Sequence, residues 1–257
     1  MYATDDDARQ QRAAAMLGDA AMLARIRAQI DALDETAQPT VVIIAGAERL
    51  TDAHKLGVMA GSFNPPTWAH VALADSALMH GGCDAVLWAI SRVTVDKEQV
   101  TRAPLDLRLA TLAALTAARP HDAVATINRG LYADQAQAVR DTLPNLRDLA
   151  FIIGYDKIMQ ILDPRYYTDR DAALDELFGL AEVLVAPRDD EGAPDLAALM
   201  AQPSNQRWAA RVRFIPLAPA MRALSSTKAR ERIAHGQSIS DIAPPEALSL
   251  VAAGGFA

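Results

Sequence analysis

The sequence predicts an α/β fold built on a doubly wound, mostly parallel sheet of about five to six strands. Two observations support this fold. From residue 55 onwards, short runs rich in β-branched and other apolar residues alternate with segments of helical periodicity. One of these runs, 85–90, is apolar at every position, which is typical of a parallel strand covered on both faces. This order of elements is that of a Rossmann-like sheet.

Residues 1–54 are predicted to form an N-terminal helical extension plus a strand. Apolar residues recur at helical spacing between about 7 and 37, so we expect one or two amphipathic helices there, ended by Pro39. The β-branched run 40–44 is a predicted strand. Such helices can pack on the main domain or on another subunit, so a homo-oligomer is one of two alternatives.

Residues 55–257 are predicted to form the main domain, in which strands and helices alternate. The first strand, 55–60, leads through a turn containing Gly and Pro into a helix over 70–80. A polar loop over 91–104 follows the second strand. The remaining predicted strands cover 85–90, 123–127, 149–153, 182–186 and 212–215, and the remaining helices cover 105–119, 134–143, a stretch ending at 162, 171–179, 196–201, 227–235 and 244–252.

Composition excludes several classes of function. The chain has 257 residues, a net charge of −7 and no basic stripe, so a general nucleic-acid binder is not expected. The single cysteine, Cys83, excludes an intrachain disulfide and is predicted to be a small buried thiol. No apolar run is long enough to span a bilayer, and the acidic run 5–7 is unlike a signal or transit peptide. We therefore expect a cytoplasmic protein without a membrane partner.

The turn over 61–70, which reads GSFNPPTWAH, is the first candidate binding site. It ends at a predicted helix N-terminus, where free backbone N–H groups and the helix dipole favour an anion. Gly61 allows a phosphate to approach the backbone closely. His70, on the first helical turn, can donate a hydrogen bond or a positive charge to the same anion. The alternative is a surface turn rich in Gly and Pro with an incidental histidine.

A second candidate phosphate site follows the last predicted strand, where the sequence LSSTKAR over 224–230 opens a helix. Ser225, Ser226 and Thr227 offer hydroxyl and N–H groups, while Lys228 and Arg230 supply positive charge. A triphosphate needs several such donors at once. The alternative is a well-capped surface helix, because Ser and Thr are favourable N-cap residues.

Both stretches resemble motifs of the nucleotidyltransferase superfamily. The stretch 61–70 is similar to the signature G-x-F-x-P-x-[H/T]-x-x-H, and 224–230 is similar to I-S-x-T-x-x-R, with Leu224 in place of Ile. The form G-S-F-N-P-x-T-x-x-H looks most like that of nicotinamide and nicotinic acid mononucleotide adenylyltransferases. The resemblance spans about residues 55–252 and implies an enzyme.

The resemblance also implies roles for individual residues. His70 corresponds to the histidine that contacts the nucleotide phosphates, and Thr67 stands where many bacterial members have histidine. Together with Arg230, which belongs to the motif that binds the β- and γ-phosphates, these are the expected catalytic residues. The expected nucleotide and phosphate ligands are Gly61, Ser62, Phe63, Asn64, Lys97, Gly154, Asp156, Ser225, Ser226 and Thr227.

Three further matches to the family, at Asp156, Lys97 and Arg108, have an alternative explanation. Asp156 stands in a G-x-D element whose aspartate contacts a ribose hydroxyl or the substrate, and it is equally explained as the N-cap of the following helix. Lys97 and Arg108 stand where family members carry basic residues near the phosphates. Each is as well explained as a solvated charge.

The activity implied is transfer of AMP from ATP to a nicotinamide or nicotinic acid mononucleotide, with release of pyrophosphate. The attacking phosphate is already ionised at neutral pH, so no strong general base is needed, and positioning and charge stabilisation would carry catalysis. We expect Mg²⁺ to accompany the nucleotide rather than to occupy a protein cage, because no carboxylate cluster or histidine pair at metal-ligand spacing is visible.

The acceptor is the least determined part of this prediction. Family members often use a tryptophan after the third strand for the pyridine ring, whereas 128–132 reads NRGLY here, so Tyr132 is the available ring. The stretch 154–167 also resembles a fungal-type branch for which cytidylyl transfer is suggested. The alternatives are transfer from CTP, adenylyl transfer to another phosphate such as a pantetheine phosphate, and a non-catalytic nucleotide sensor. A Rossmann dehydrogenase is disfavoured because no G-x-G-x-x-G follows the first strand.

Overall fold

A single seven-stranded sheet organises the computed structural model, which describes residues 2–93, 102–187 and 192–256. The strands are β1 (Val41–Ala45), β2 (Lys55–Ala60), β3 (Ala85–Ser91), β4 (Asp122–Ile127), β5 (Asp148–Gly154), β6 (Glu182–Ala186) and β7 (Val212–Phe214). Their order across the sheet is β1-β4-β3-β2-β5-β6-β7. Neighbouring strands are parallel, except that β1 is antiparallel to β4.

Helices cover both faces of this sheet. They are α1 (Tyr2–Gly18), α2 (Ala20–Asp31), α3 (Trp68–Met79), α4 (Leu105–Thr116), α5 (Tyr132–Thr142), α6 (Tyr155–Leu162), α7 (Arg170–Leu180), α8 (Ala193–Ala201), α9 (Pro219–Arg222), α10 (Ser226–Ala234) and α11 (Pro245–Ala252). Short 3₁₀ turns lie at Ala47–Leu50, Pro164–Tyr166 and Gln206–Arg211. None of the helices in the described ranges is long and apolar enough to cross a membrane.

Alternation along the strands divides the apolar core into two layers. Leu87 and Ala89 of β3 belong to one buried cluster, whereas Val86 and Trp88 belong to the cluster on the opposite face. Successive side chains of a strand point to opposite faces, so a run that is apolar throughout is buried on both. Cys83 lies in the second cluster, and burial raises the pKa of its thiol to about 12, as expected of an inert buried cysteine.

The order in which successive strands are added to the sheet reverses next to β2. It passes from β2 to β3 and then to β4 on one side, and returns to add β5, β6 and β7 on the other. The crevice beyond the carboxyl ends of β2 and β5 is therefore the topological switch point, where open α/β sheets bind ligands. The turn 61–70 follows β2, and Gly154 ends β5.

The α/β fold predicted from the sequence is confirmed. Six predicted strands of the main domain are present, and the strand predicted in the extension joins the same sheet as a seventh. In its pairing with β4, Val41 lies opposite Ile127. Residues so far apart in sequence carry no local signal of their pairing. The division of the chain at residue 54 stays a prediction.

The N-terminal helices pack on the main part of the chain. Arg9 on α1 makes a two-pronged ion pair with Glu246 of α11, at 3.0 Å from each carboxylate oxygen, and Glu246 is almost fully buried. Ser249 of α11 donates from its hydroxyl to the carbonyl of Gln10 at 2.8 Å. On α2, Arg27 pairs with the buried Asp106 of α4 at 2.6 Å. The two ends of the chain therefore meet on one face of the sheet.

Candidate active site

A cavity of about 1150 Å³ opens at the switch point. It brings together residues from all three stretches that the sequence singled out, although these are far apart in the chain. The predicted site residues that line it are Gly61, Ser62, Phe63, His70, Gly154, Asp156, Ser225, Ser226, Thr227 and Arg230. The two motifs and the end of β5 therefore face a common space, as a ligand with several phosphates and a ribose would require.

The turn after β2 is shaped by a buried aromatic residue. Phe63 has a φ of 44°, in the left-handed region that non-glycine residues seldom adopt, and it is only 1% exposed. Its ring packs edge-on to His70 at 5.1 Å and against Trp88 at 5.4 Å between centroids. A Cβ at Gly61 would lie 3.2 Å from this ring, so glycine lets the backbone pass directly over it. The core therefore supports the turn through the ring of Phe63.

His70 is fixed at the start of α3 by Thr67. The backbone N–H of Thr67 donates to Nδ1 of His70 at 3.0 Å, and the Thr67 hydroxyl lies 2.8 Å from the same nitrogen. Since Nδ1 accepts a hydrogen bond, the neutral ring carries its hydrogen on Nε2. The ring lines the cavity, and Nε2–H is the donor of the neutral ring there.

A buried arginine supports the other side of the turn. Arg108 on α4 donates from Nη1 to the carbonyl of Ser62 and from Nε to the carbonyl of Ala103, both at 2.8 Å. Burial lowers the pKa of this guanidinium to about 10, which leaves it charged at neutral pH. Arg108 also lines the cavity, so it is not a solvated surface charge. It adds positive charge to the space in front of the turn.

The two motifs are joined by direct hydrogen bonds. Ser226 donates from its hydroxyl to the carbonyl of Pro65 at 2.8 Å, and Arg230 donates from Nη1 to the carbonyl of Asn64 at 3.0 Å. The other terminal nitrogen of Arg230 donates to the hydroxyl of Thr227 at 3.2 Å. Ser225 caps α10 by accepting from the N–H of Lys228. Two helix N-termini therefore face the cavity in one fixed arrangement.

Two of the residues expected to contact the ligand do not line the cavity. Thr67 is fully buried and Asn64 is 1% exposed, and neither lines the cavity. Their side chains are engaged elsewhere: Thr67 with His70, and the amide oxygen of Asn64 with the N–H of Ala103 at 3.0 Å. In this structure both side chains therefore hold neighbouring groups in place, and their direct contact with a ligand stays a prediction. Lys97 lies outside the described residues.

Asp156 occupies the first turn of α6, and Gly154 is the N-cap of this helix. The alternative interpretation of Asp156 as the cap is therefore wrong. Its position at the mouth of the cavity is compatible with a carboxylate that accepts hydrogen bonds from a ribose.

Sequence reasoning missed several basic residues that line the cavity. Arg92 directly follows β3, and Lys157 follows Asp156 on α6. Arg102 lies in the loop before α4, and Arg222 is the last residue of α9. Arg92 could have been found, because a charged residue just after a predicted parallel strand lies at the ligand edge of the sheet. The others carry no motif. Their charges suit a polyanionic ligand despite the acidic net charge of the chain.

Aromatic rings also line the cavity. Tyr132, at the start of α5, packs edge-on to Phe151 with 4.8 Å between centroids, and Tyr166 is 64% exposed. Tyr167 beside it is tied down by a hydrogen bond from its hydroxyl to the carbonyl of Ile161 at 2.7 Å. The cavity thus has a cationic part and a part with ring faces.

Within the described ranges, no group of three or more His, Cys, Asp or Glu side chains could hold a metal ion.

The fold and the cavity define an α/β protein with a site for a phosphorylated ligand at its switch point. Comparison with known proteins identifies the class more closely. The model of the Cytidylyltransferase-like family matches residues 58–232, which is more than half of the chain. The chain belongs to this family, and the predicted membership of the nucleotidyltransferase superfamily is confirmed.

Relatives match over most of their length. A Bordetella pertussis protein named "Probable nicotinate-nucleotide adenylyltransferase" is 29% identical over 203 residues, which cover 77% of this chain and 95% of that protein. A protein of the same name from Trichlorobacter lovleyi is 28% identical over 212 residues, covering 77% and 96%. The nicotinic acid mononucleotide adenylyltransferase of Plasmodium falciparum, solved with NaAD, matches with a TM-score of 0.55 at 15% identity, covering 77% of this chain and 95% of that one. This last similarity supports the fold.

Proposed function

We propose that this protein transfers AMP from ATP to a pyridine mononucleotide and releases pyrophosphate. The observation that carries the proposal is the pair of helix N-termini, α3 and α10, joined through Ser226 and Arg230 and open to one cavity. Phosphates are the ligands that such termini favour. The names of the relatives, nicotinate-nucleotide adenylyltransferases, agree with this activity.

In the proposed reaction, an oxygen of the acceptor 5′-phosphate attacks the α-phosphorus of ATP. The new P–O bond forms as the bond from the α-phosphorus to the oxygen bridging the α- and β-phosphorus atoms breaks, and pyrophosphate leaves. His70 would donate its Nε2–H to the phosphate on which negative charge grows, and the end of α10 with Arg230 would hold the leaving group. No side chain has to accept a proton, because the attacking oxygen is already ionised.

The acceptor is proposed from the aromatic part of the cavity. Tyr132 and Tyr166 offer ring faces on which a flat heteroaromatic ring can stack. Either nicotinic acid or nicotinamide mononucleotide satisfies this requirement. Mg²⁺ is proposed to enter with the triphosphate, with most of its ligands supplied by phosphate oxygens and water. A cytoplasmic location and a homo-oligomeric state stay predictions.

Pyrophosphate release by the purified chain tests this proposal. ATP or CTP is combined with Mg²⁺ and with nicotinic acid mononucleotide, nicotinamide mononucleotide, 4′-phosphopantetheine or no acceptor. We expect pyrophosphate release only when ATP is combined with a pyridine mononucleotide. The mononucleotide that gives the faster release is the preferred acceptor. Nucleotide binding without release in any combination would refute the proposal and favour a sensor.

A cytidylyl donor is the second candidate. It is favoured by the description of the matching family, which is cytidylyltransferase-like. Release with CTP but not with ATP would establish it, so the same assay separates the two.

A further inference from the structure

The segment over 30–40, which we call the linking segment, joins α2 to β1 and lies against the carboxyl ends of β3 and β4. Arg92, directly after β3, donates from Nη1 to the carbonyls of Ile30 at 2.5 Å and Leu33 at 2.6 Å. Its Nε donates to the carboxylate of Glu35 at 2.9 Å. The charged end of a cavity-lining residue is thus held by three acceptors of the N-terminal extension.

Asn128, directly after β4, makes a second set of bonds with the linking segment. Its amide nitrogen donates to the carbonyls of Asp34 at 2.7 Å and Gln38 at 3.0 Å, and its amide oxygen accepts from the N–H of Thr40 at 2.8 Å. Asn128 is fully buried. Both of its donors and its acceptor are satisfied by the segment, which is the arrangement expected of a fixed contact rather than a fraying one.

Arg129 connects the linking segment to the cavity wall. Its guanidinium donates to the carbonyls of Glu35 and Ala37. Its own carbonyl accepts from the hydroxyl of Ser91 at 2.8 Å and from the amide nitrogen of Gln135 at 3.2 Å, both of which line the cavity. One residue therefore faces the extension with its side chain and the cavity wall with its backbone.

The loop that these bonds hold, residues 130–132, forms part of the cavity wall and carries Tyr132. Its two ends are supported differently: Tyr132 packs on the core through Phe151, whereas Leu131 is 59% exposed. An exposed stretch with few packed side chains opens locally at low cost. On the Arg129 side, the hydrogen bonds to the linking segment therefore constrain the path of the loop that leads into Tyr132.

The ring that this loop carries assigns it to one of the two substrates. Tyr132 lines the cavity, and in the proposed function its ring face stacks on the heteroaromatic ring of the acceptor. We call the part of the cavity lined by the loop 130–132 and by Tyr166 the acceptor half.

We infer that the linking segment positions the acceptor half of the cavity, chiefly through the bonds that Arg129 makes with Glu35 and Ala37. The N-terminal extension is then part of the substrate-binding apparatus, although it contributes no motif residue. The assignment to the acceptor rests on the proposed function. The inference that the linking segment holds the loop in place is independent of the proposed function.

The test compares two arginines that tie the extension to the sheet in similar ways. Arg129→Ala removes the donors to the linking segment. Arg49→Ala is the matched control: Arg49 donates from Nη1 to the carbonyls of Thr116, Arg119 and Asp122, at the opposite edge of the sheet from the cavity. In the full chain, KM for the pyridine mononucleotide and KM for ATP are measured by pyrophosphate release, and amide hydrogen exchange is followed over 128–135 and 61–70.

We expect Arg129→Ala to raise the acceptor KM about tenfold, as the loss of two ordering hydrogen bonds implies, and to leave the ATP KM within about twofold. Exchange should become faster over 128–135 and stay unchanged over 61–70. Arg129→Lys keeps one donor and should recover part of the acceptor KM. Arg49→Ala should change neither KM, even if it lowers the melting temperature.

Several outcomes would overturn the inference. An equal rise of both KM values means a general structural defect, and faster exchange with an unchanged acceptor KM means that the loop positions nothing. A raised acceptor KM with unchanged exchange means that Arg129 contacts the substrate directly. If the unmodified protein releases no pyrophosphate with any acceptor, the proposed function fails, while the exchange comparison with Arg49→Ala still decides whether the linking segment orders the loop.

Discussion

The two halves of the cavity are built in different ways. In the nucleotide half, the turn 61–70 and the start of α10 are bonded to each other, and the residues that make these bonds belong to the two motifs. In the acceptor half, the ends of β3 and β4 are held by the linking segment, which has no motif. The motifs mark the first half in the sequence, whereas no motif marks the linking segment that holds the second.

Burial separates the halves as well. Thr67 and Asn64, behind the nucleotide half, are at most 1% exposed, whereas Leu131 and Tyr166 at the acceptor half are more than half exposed. A phosphate site gains from donors fixed before binding, since little ordering then opposes binding. The exposed ring of Tyr166 can be exchanged without disturbing the core, whereas Tyr132 also packs on the buried Phe151. We therefore expect substitutions in the first half to affect turnover, and those in the second to affect acceptor affinity.

The largest effect is expected for His70→Ala. Loss of one donor to a developing negative charge typically costs about 10²–10³ in kcat, and this loss should appear with every acceptor. His80→Ala, at the C-terminal end of the same helix and outside the cavity, is the control. Steady-state pyrophosphate release measures both, and circular dichroism checks the fold. Turnover within about twofold of the unmodified protein would remove His70 from the mechanism.

The next effect is expected for Arg230→Ala, which removes a charged donor from the nucleotide half. A hydrogen bond to a charged group contributes about 1.5–3 kcal/mol, so ATP should bind about 10- to 100-fold more weakly. Arg232→Ala, on the same helix, is the control, because Arg232 bonds to Ser238 and Asp241 and does not line the cavity. Calorimetric titration with a non-hydrolysable ATP analogue gives the dissociation constants. Equal affinity of the two variants would place Arg230 outside the site.

A third prediction concerns the acceptor half. Tyr132→Ala should raise the KM of the pyridine mononucleotide about tenfold, because stacking on an aromatic ring contributes about 1–3 kcal/mol, while the ATP KM stays nearly constant. Tyr132→Phe keeps the ring, so it should keep most of the acceptor affinity that Tyr132→Ala loses. The kinetic constants of both variants are measured against both substrates. If ATP and acceptor are affected alike, the division into two halves is wrong.

The smallest effect is expected for Thr67→Val. The substitution removes the hydroxyl beside Nδ1 of His70 but keeps the backbone N–H that bonds to the same nitrogen. A neutral hydrogen bond contributes about 0.5–1.5 kcal/mol, so kcat should fall only about threefold to tenfold. Single-turnover measurements with saturating substrates give the rate of the chemical step. A loss as large as that of His70→Ala would mean that Thr67 acts on the substrate itself.

The fold could be predicted largely from local patterns. Strands buried on both faces and helices with caps leave signals within a few residues, and β3 is an example at 85–91. The two motifs are also short local patterns, and they predicted most of the residues of the nucleotide half. Thr67 and Asn64 were expected to meet the ligand, and the structure buries them instead, since a motif shows that a residue matters but not which way its side chain points.

The remainder depends on contacts that a sequence does not display. The pairing of β1 with β4 and the bonds from Asn128 to residues 34–40 join parts of the chain about ninety residues apart. Arg108 could be placed on a helix from the sequence, but its bond to the carbonyl of Ser62 depends on how that helix packs. Such contacts follow from the completed topology rather than from any local propensity.

The ion pair between Arg9 and Glu246 also bears on the order in which the protein can fold. During synthesis α1 is complete long before α11 exists, so the part of its surface that α11 covers stays exposed until α11 has been made. Contacts of such long range close last and slow the search for the native state. We therefore expect α1 to complete its docking late, and a ribosome-bound chain that still lacks α11 to keep this part of α1 accessible to chaperones.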